Sequence, residues 1–80
     1  MKVWILLIDI NGRYGSRPRV YSSKEKAMEA MIKDYNAEIN DSHGEYGGIE
    51  NVRLNQEEGW AYIDYRDGHT YFDIFEEEVQ

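Results

Sequence analysis

The 80-residue sequence has no cysteine and a single proline. Without cysteine there is no disulfide, no thiolate metal site and no thiol nucleophile, and a reducing, cytosolic setting is expected. No apolar run approaches the roughly 18–20 residues that cross a bilayer. The opening MKVWILLIDI lacks the basic flank, the small-residue cleavage site and the apolar length of a secretory signal. Histidine is scarce too, with only His43 and His69. Carboxylates abound, but none stands in a constellation of nucleophile, base and orienting group, so no catalytic residue is singled out and an enzyme is not expected. Bases nearly vanish from the second half: residues 34–80 hold Arg53 and Arg66 against thirteen acids, a balance of −11. Residues 1–33 hold seven bases against three acids, +4, which brings the chain to −7.

What is present is a globular composition, 41% hydrophobic and 14% aromatic against 31% charged; a disordered tail carries fewer aromatics. Eighty residues leave room for one hydrophobic core, so residues 1–80 are read as a single domain. Lys2 to Ile10 reads as a strand in which Val3, Ile5 and Leu7 point one way and Trp4, Leu6, Ile8 and Ile10 the other. Both faces are apolar, the pattern of a central strand. Asn11-Gly12 is a turn signal, and Pro18 restricts Arg19 to Tyr21 to a short edge strand. Ser22-Ser23-Lys24-Glu25 fits a capping box in which Ser22 and Glu25 satisfy each other's orphan amides, with Val20 placed to staple onto the first turns. From Ser23 to Asn40, Ala27, Met28, Met31, Ile32, Tyr35 and Ile39 recur at helical spacing. A helix of that length matches a strand of eight residues, about 27 Å, and lies along one sheet face.

After a loop at Asn40 to Gly48, three strands are expected: Ile49 to Leu54, Trp60 to Tyr65 and Thr70 to Phe75. Asp67-Gly68 is a favoured pair for a two-residue hairpin turn. It sets Tyr65 opposite Thr70, Ile63 opposite Phe72, Ala61 opposite Ile74, Asp64 opposite Tyr71, Tyr62 opposite Asp73 and Trp60 opposite Phe75. Glu76 to Gln80 is read as a fraying acidic tail. The fold class is thus α+β, an antiparallel sheet of four to five strands with a single helix packed on one face.

One helix covers one side of a sheet, which leaves Trp60, Tyr62, Tyr71 and Phe75, interleaved with Asp64 and Asp73, for another molecule to bury. Rings beside charge are the make-up of interface hot spots. Glu57, Glu58, Asp67, Glu76, Glu77 and Glu78 extend the acidic surface. Side chains two apart on a strand repeat at about 6.6–6.8 Å, close to every second phosphate of a DNA strand, so strand carboxylates suit a phosphate-binding cleft. These twelve residues form the expected partner-binding set. A homodimer through the same aromatic face is the alternative. A third reading uses Arg13, Arg17 and Arg19 with Tyr14 and Tyr21 to bind nucleic acid; the eleven excess negative charges downstream oppose it. Asp41, His43 and Glu45 are of metal-ligating type but adjacent in one loop, and neither a metal nor a cofactor is expected. His69 is read as exposed.

At Val20-Tyr21-Ser22-Ser23-Lys24-Glu25-Lys26-Ala27, preceded by MKVWILLIDI, the chain resembles small phage and prophage proteins that open with a strand, enter a Ser-Lys-Glu-Lys-Ala helix and end in acidic strands. In size, acidity, lack of cysteine and its aromatic-acidic second half, it is similar to anti-CRISPR proteins. That resemblance implies a cytoplasmic inhibitor of a host protein with a basic groove, such as a CRISPR effector nuclease, acting by DNA mimicry, with no membrane partner and no catalysis.

Overall fold

Residues 2–10 carry apolar side chains on both faces, which demands a neighbour on each edge and a layer on at least one side. The computed structural model, which describes residues 1–10, 18–40 and 48–79, supplies them. Six elements follow in order: β1 (Lys2–Ile10), β2 (Arg19–Tyr21), α1 (Lys24–Asn40), β3 (Ile49–Asn55), β4 (Trp60–Tyr65) and β5 (Gly68–Glu78). The strands form one sheet in the order β2-β1-β5-β4-β3, every pair antiparallel, with α1 across one face. This is the α+β architecture the patterning predicts, with five strands. The Asn11-Gly12 turn and most of the Asn40 to Gly48 loop lie outside the described residues.

The helix face holds the core. Leu6, Ala61, Ile63, Phe72 and Ile74 of the sheet meet Ala27, Met31 and Tyr35 of α1, and all are buried. The three helical residues are spaced by four, one stripe along the helix. Tyr35 meets Phe72 edge-on at 6.2 Å between ring centroids, and burial pushes the Tyr35 hydroxyl pKa up. Leu6, Met31 and Ile63 are essentially sealed from solvent, each contributing about 1.5–3 kcal/mol of transfer free energy. Buried Thr70 gives its hydroxyl to Glu38 at 3.4 Å, and Tyr65 donates to the same carboxylate oxygen at 2.9 Å. Arg19 of β2 pairs with Asp34 of α1, which ties the short edge strand to the helix.

Four local expectations are corrected. Ser23, not Ser22, caps the helix: its hydroxyl accepts the Lys26 amide at 3.1 Å and its carbonyl the Ala27 amide at 3.2 Å. Lys26 then sits where a reciprocal box needs a carboxylate, while Glu25 in the first turn complements the helix dipole. Val20 does not staple onto α1. It pairs with Ile5 on the opposite face and is 60% exposed, and Tyr21 packs against the core instead. The acidic end does not fray, because β5 runs to Glu78 and pairs Glu76, Glu77 and Glu78 with Trp4, Val3 and Lys2. Finally, the β4–β5 register is displaced by two residues. Tyr65 faces Gly68, Ile63 faces Thr70, Ala61 faces Phe72, Asp64 faces His69, Tyr62 faces Tyr71 and Trp60 faces Asp73. The turn is Arg66-Asp67, and Gly68 enters the strand.

Packing explains that displacement. The observed register sets the large Phe72 opposite Ala61 and the smaller Thr70 opposite Ile63, so volumes alternate beneath the helix. The other end of the hairpin locks it. Gly59, at φ 81°, accepts the Ile74 amide at 2.8 Å and brings its Cα against the Ile74 side chain.

Candidate functional site

A shift of two residues leaves every side chain on the face where alternation put it. Trp60, Tyr62 and Asp64 of β4 therefore still share the face turned away from the helix with Tyr71, Asp73 and Phe75 of β5. Trp60 and Tyr62 lie parallel, 6.1 Å apart with their planes 6° from one another. Tyr62 meets Tyr71 edge-on at 5.9 Å, and Tyr71 meets the His69 ring at 4.6 Å. Four rings thus form a continuous ladder across the hairpin. His69 is half-buried within it, not exposed.

The Trp60 indole N–H donates to Glu58 at 2.8 Å, fixing the ring at the start of β4. The tight β3–β4 turn makes this possible: Asn55 accepts the Glu58 amide through its side chain at 2.9 Å and the Gly59 amide through its carbonyl at 2.9 Å. Asn51 of β3 reaches the Tyr62 hydroxyl at 3.4 Å.

The sheet order adds a part that the hairpin alone did not reveal. Because β1 lies next to β5, Val3, Ile5, Leu7 and Asp9 join this face, opposite Glu77, Phe75, Asp73 and Tyr71. Val20 continues it at 60% exposed, beside Phe75 at 36% and Tyr71 at 43%. The signal was present as the second apolar face of residues 2–10; without the strand order it had no neighbour. Among the described residues no element lies over this face, since α1 packs on the other.

Among the described residues its strand charges are Asp9, Asp64, Asp73 and Glu77 against Arg53, which β3 contributes opposite Tyr62, and the Glu58 carboxylate reaches its edge at the Trp60 indole. Asp73 stands between Leu7 and Trp60 on the flanking strands, and Tyr71 and Phe75 bracket it on its own. That apolar surround pushes its pKa up, outweighing a hydrogen bond from the backbone of Ile74. One Asp9 carboxylate oxygen, Oδ1, is sealed from solvent with no donor.

The remaining predicted site residues divide in two. Glu76 and Glu78 fall on the helix face, where Lys2 meets Glu76 at 3.2 Å and the α-amino group meets Glu78 at 3.3 Å. Glu57, Glu58 and Asp67 occupy the turns at opposite ends of β4. Asp73 and Glu77 lie four residues apart on β5, about 13 Å along the strand. Asp73 is an isolated charge among rings, whereas Glu77 lies at the strand end between the paired Glu76 and Glu78, on the opposite face from them. Arg19 is engaged by Asp34, and Arg13, Arg17, Tyr14, Asp41, His43 and Glu45 lie outside the described residues. On the helix side a cleft of about 270 Å³ opens between Ile8, Phe72 and Glu38, and Glu38 within it is already bonded to Tyr65 and Thr70. No group of three or more metal-ligating side chains occurs among the described residues, and none of the helices there is long and apolar enough to cross a membrane. No family model, no curated protein and no solved structure matches the chain.

Proposed function

We propose that this chain is a stoichiometric protein-binding inhibitor that seats its open sheet face in a basic groove of its partner. The groove is of the kind that holds a nucleic-acid backbone in a DNA-handling enzyme such as a CRISPR effector nuclease. The observation that supports the reading is the composition of that face: aromatic and aliphatic anchors with four carboxylates to one guanidinium, left uncovered among the described residues. Apolar anchors give affinity, and the one-signed charge steers encounter with a basic surface. The same charges weigh against a twin of this chain as the occupant, because two faces that each carry an excess of acid repel on approach.

Competition with DNA for a purified effector nuclease tests the reading. The chain is expected to displace DNA at one copy per effector, and Tyr71→Lys or Phe75→Lys to abolish displacement while Glu29→Lys, on the helix, leaves most of it. Displacement that survives both face variants would remove the face from the contact. A stable dimer at micromolar concentration that Trp60→Ala dissolves would favour the twin.

A further inference from the structure

The open face has a centre. Among the described residues, Asp73 is the one carboxylate on it with a ring or aliphatic side chain on all four sides: Leu7 across on β1, Trp60 across on β4, and Tyr71 and Phe75 along β5. It remains solvent-accessible, and no cation among the described residues lies within ion-pair distance of it. Among the described residues, the other charged and titratable groups on or reaching this face are Asp9 on β1, Asp64 on β4, His69 and Glu77 on β5, Arg53 on β3, and Glu58, whose carboxylate is held by the Trp60 indole N–H at 2.8 Å. Arg53 sits opposite Tyr62, two strands from Asp73.

A carboxylate framed by rings is complementary to one cation in particular. A guanidinium is flat, sheds its water readily, stacks on aromatic faces and forks two N–H donors onto one carboxylate. An ammonium is a compact, strongly hydrated point charge that gains less from the rings. We infer that Asp73, with Trp60, Tyr71 and Phe75 around it, is a recognition site for a single arginine side chain of the partner. This deepens the protein-binding reading by naming the chemistry at the centre of the contact. Desolvation already raises the cost of the charge on Asp73 in the free chain, and an arriving guanidinium relieves that cost.

The test uses hexa-arginine and hexa-lysine peptides titrated into the isotopically labelled full chain, followed by amide, indole and carboxyl NMR shifts. Both peptides carry six charges, so diffuse attraction to a chain of net charge −7 treats them alike. Hexa-arginine is expected to bind several-fold more tightly, with shifts centred on Leu7, Trp60, Tyr71 and the Asp73 carboxyl carbon. Asp73→Asn should weaken it at least about tenfold, the scale of one charge-assisted pair, and Glu29→Gln, the same charge change on the helix, less than twofold. Equal affinities for the two peptides, or equal losses in the two variants, would overturn the site. The docking reading is separable: DNA displacement abolished by Phe75→Lys but untouched by Asp73→Asn keeps the face and discards its arginine site.

Discussion

Gly59 sets the direction in which Trp60 and the rest of β4 leave the turn, and replacing it with alanine tests the packing that fixes the hairpin register. Its φ of 81° lies in the left-handed region, which costs a residue with a Cβ about 1–2 kcal/mol. The added methyl meets the Ile74 Cβ at 3.3 Å. Ile74 has little freedom to withdraw, being 7% exposed and held by its amide to the Gly59 carbonyl at 2.8 Å. Crowding therefore adds a few tenths of a kcal/mol to about one. Alanine also lowers the entropy of the unfolded chain, offsetting about 0.4–1 kcal/mol. The net loss is about 1–2 kcal/mol, or a fall in Tm of roughly 4–16 °C for a domain of this size. Gly48 is the internal control. A methyl there meets no atom within 4 Å and its φ is not left-handed, so Gly48→Ala should be neutral or stabilise by up to about 1 kcal/mol. Thermal unfolding of the two variants by circular dichroism decides it: equal losses, or an unchanged Tm for Gly59→Ala, would refute the reasoning.

Met31 is fully buried under the sheet, so Met31→Ala should cost about 2–5 kcal/mol in urea unfolding. Asp9 hides a carboxylate oxygen without a donor, and Asp9→Val, which continues the apolar row of Val3, Ile5 and Leu7, should stabilise by about 1 kcal/mol; a destabilised variant would show that the carboxylate is needed there. The Lys2–Glu76 pair is exposed on both sides, and Lys2→Ala should change stability by less than about 1 kcal/mol. Because burial raises the Asp73 pKa, the folded state holds that proton more tightly than the unfolded chain. Stability then rises as pH falls through the folded-state pKa towards the unfolded value of 3.8, and the penalty is complete above that window. The difference between wild type and Asp73→Asn across an acid titration isolates this slope, and a flat difference would contradict it.

Side-chain alternation and helical spacing carried most of the fold. The span of β1, the three residues of β2, the stripe on α1 and the open aromatic face are all legible in residue order, because period 2 and period 3.6 depend only on near neighbours. The hairpin register was not legible. Asp67-Gly68 is a strong local turn signal, yet the turn is Arg66-Asp67, since Phe72 against Ala61 and Ile74 against Gly59 outweigh it. Parity survived the shift, so the face was right while the partners changed. The helix cap was misplaced by one residue: the Ser22–Glu25 pair fits the box pattern, yet Ser23 accepts the Lys26 and Ala27 amides. The share of the site lent by Val3, Ile5, Leu7 and Asp9 rests on β1 pairing with β5 across almost the whole chain, which no local pattern encodes. Equally hidden was the pairing of Glu76 and Glu78 with Lys2 and the α-amino group, a consequence of the same strand contact.

Among the described residues, one side of the sheet stands open. Paramagnetic relaxation by a soluble gadolinium chelate, measured on the dilute protein, tests it without any partner. The Val20 methyls and the Tyr71 and Phe75 rings should relax strongly, while the methyls of Leu6, Met31 and Ile63 stay shielded beneath the helix. Equal shielding of both sets would mean that the rest of the chain covers this face and that no docking surface exists there.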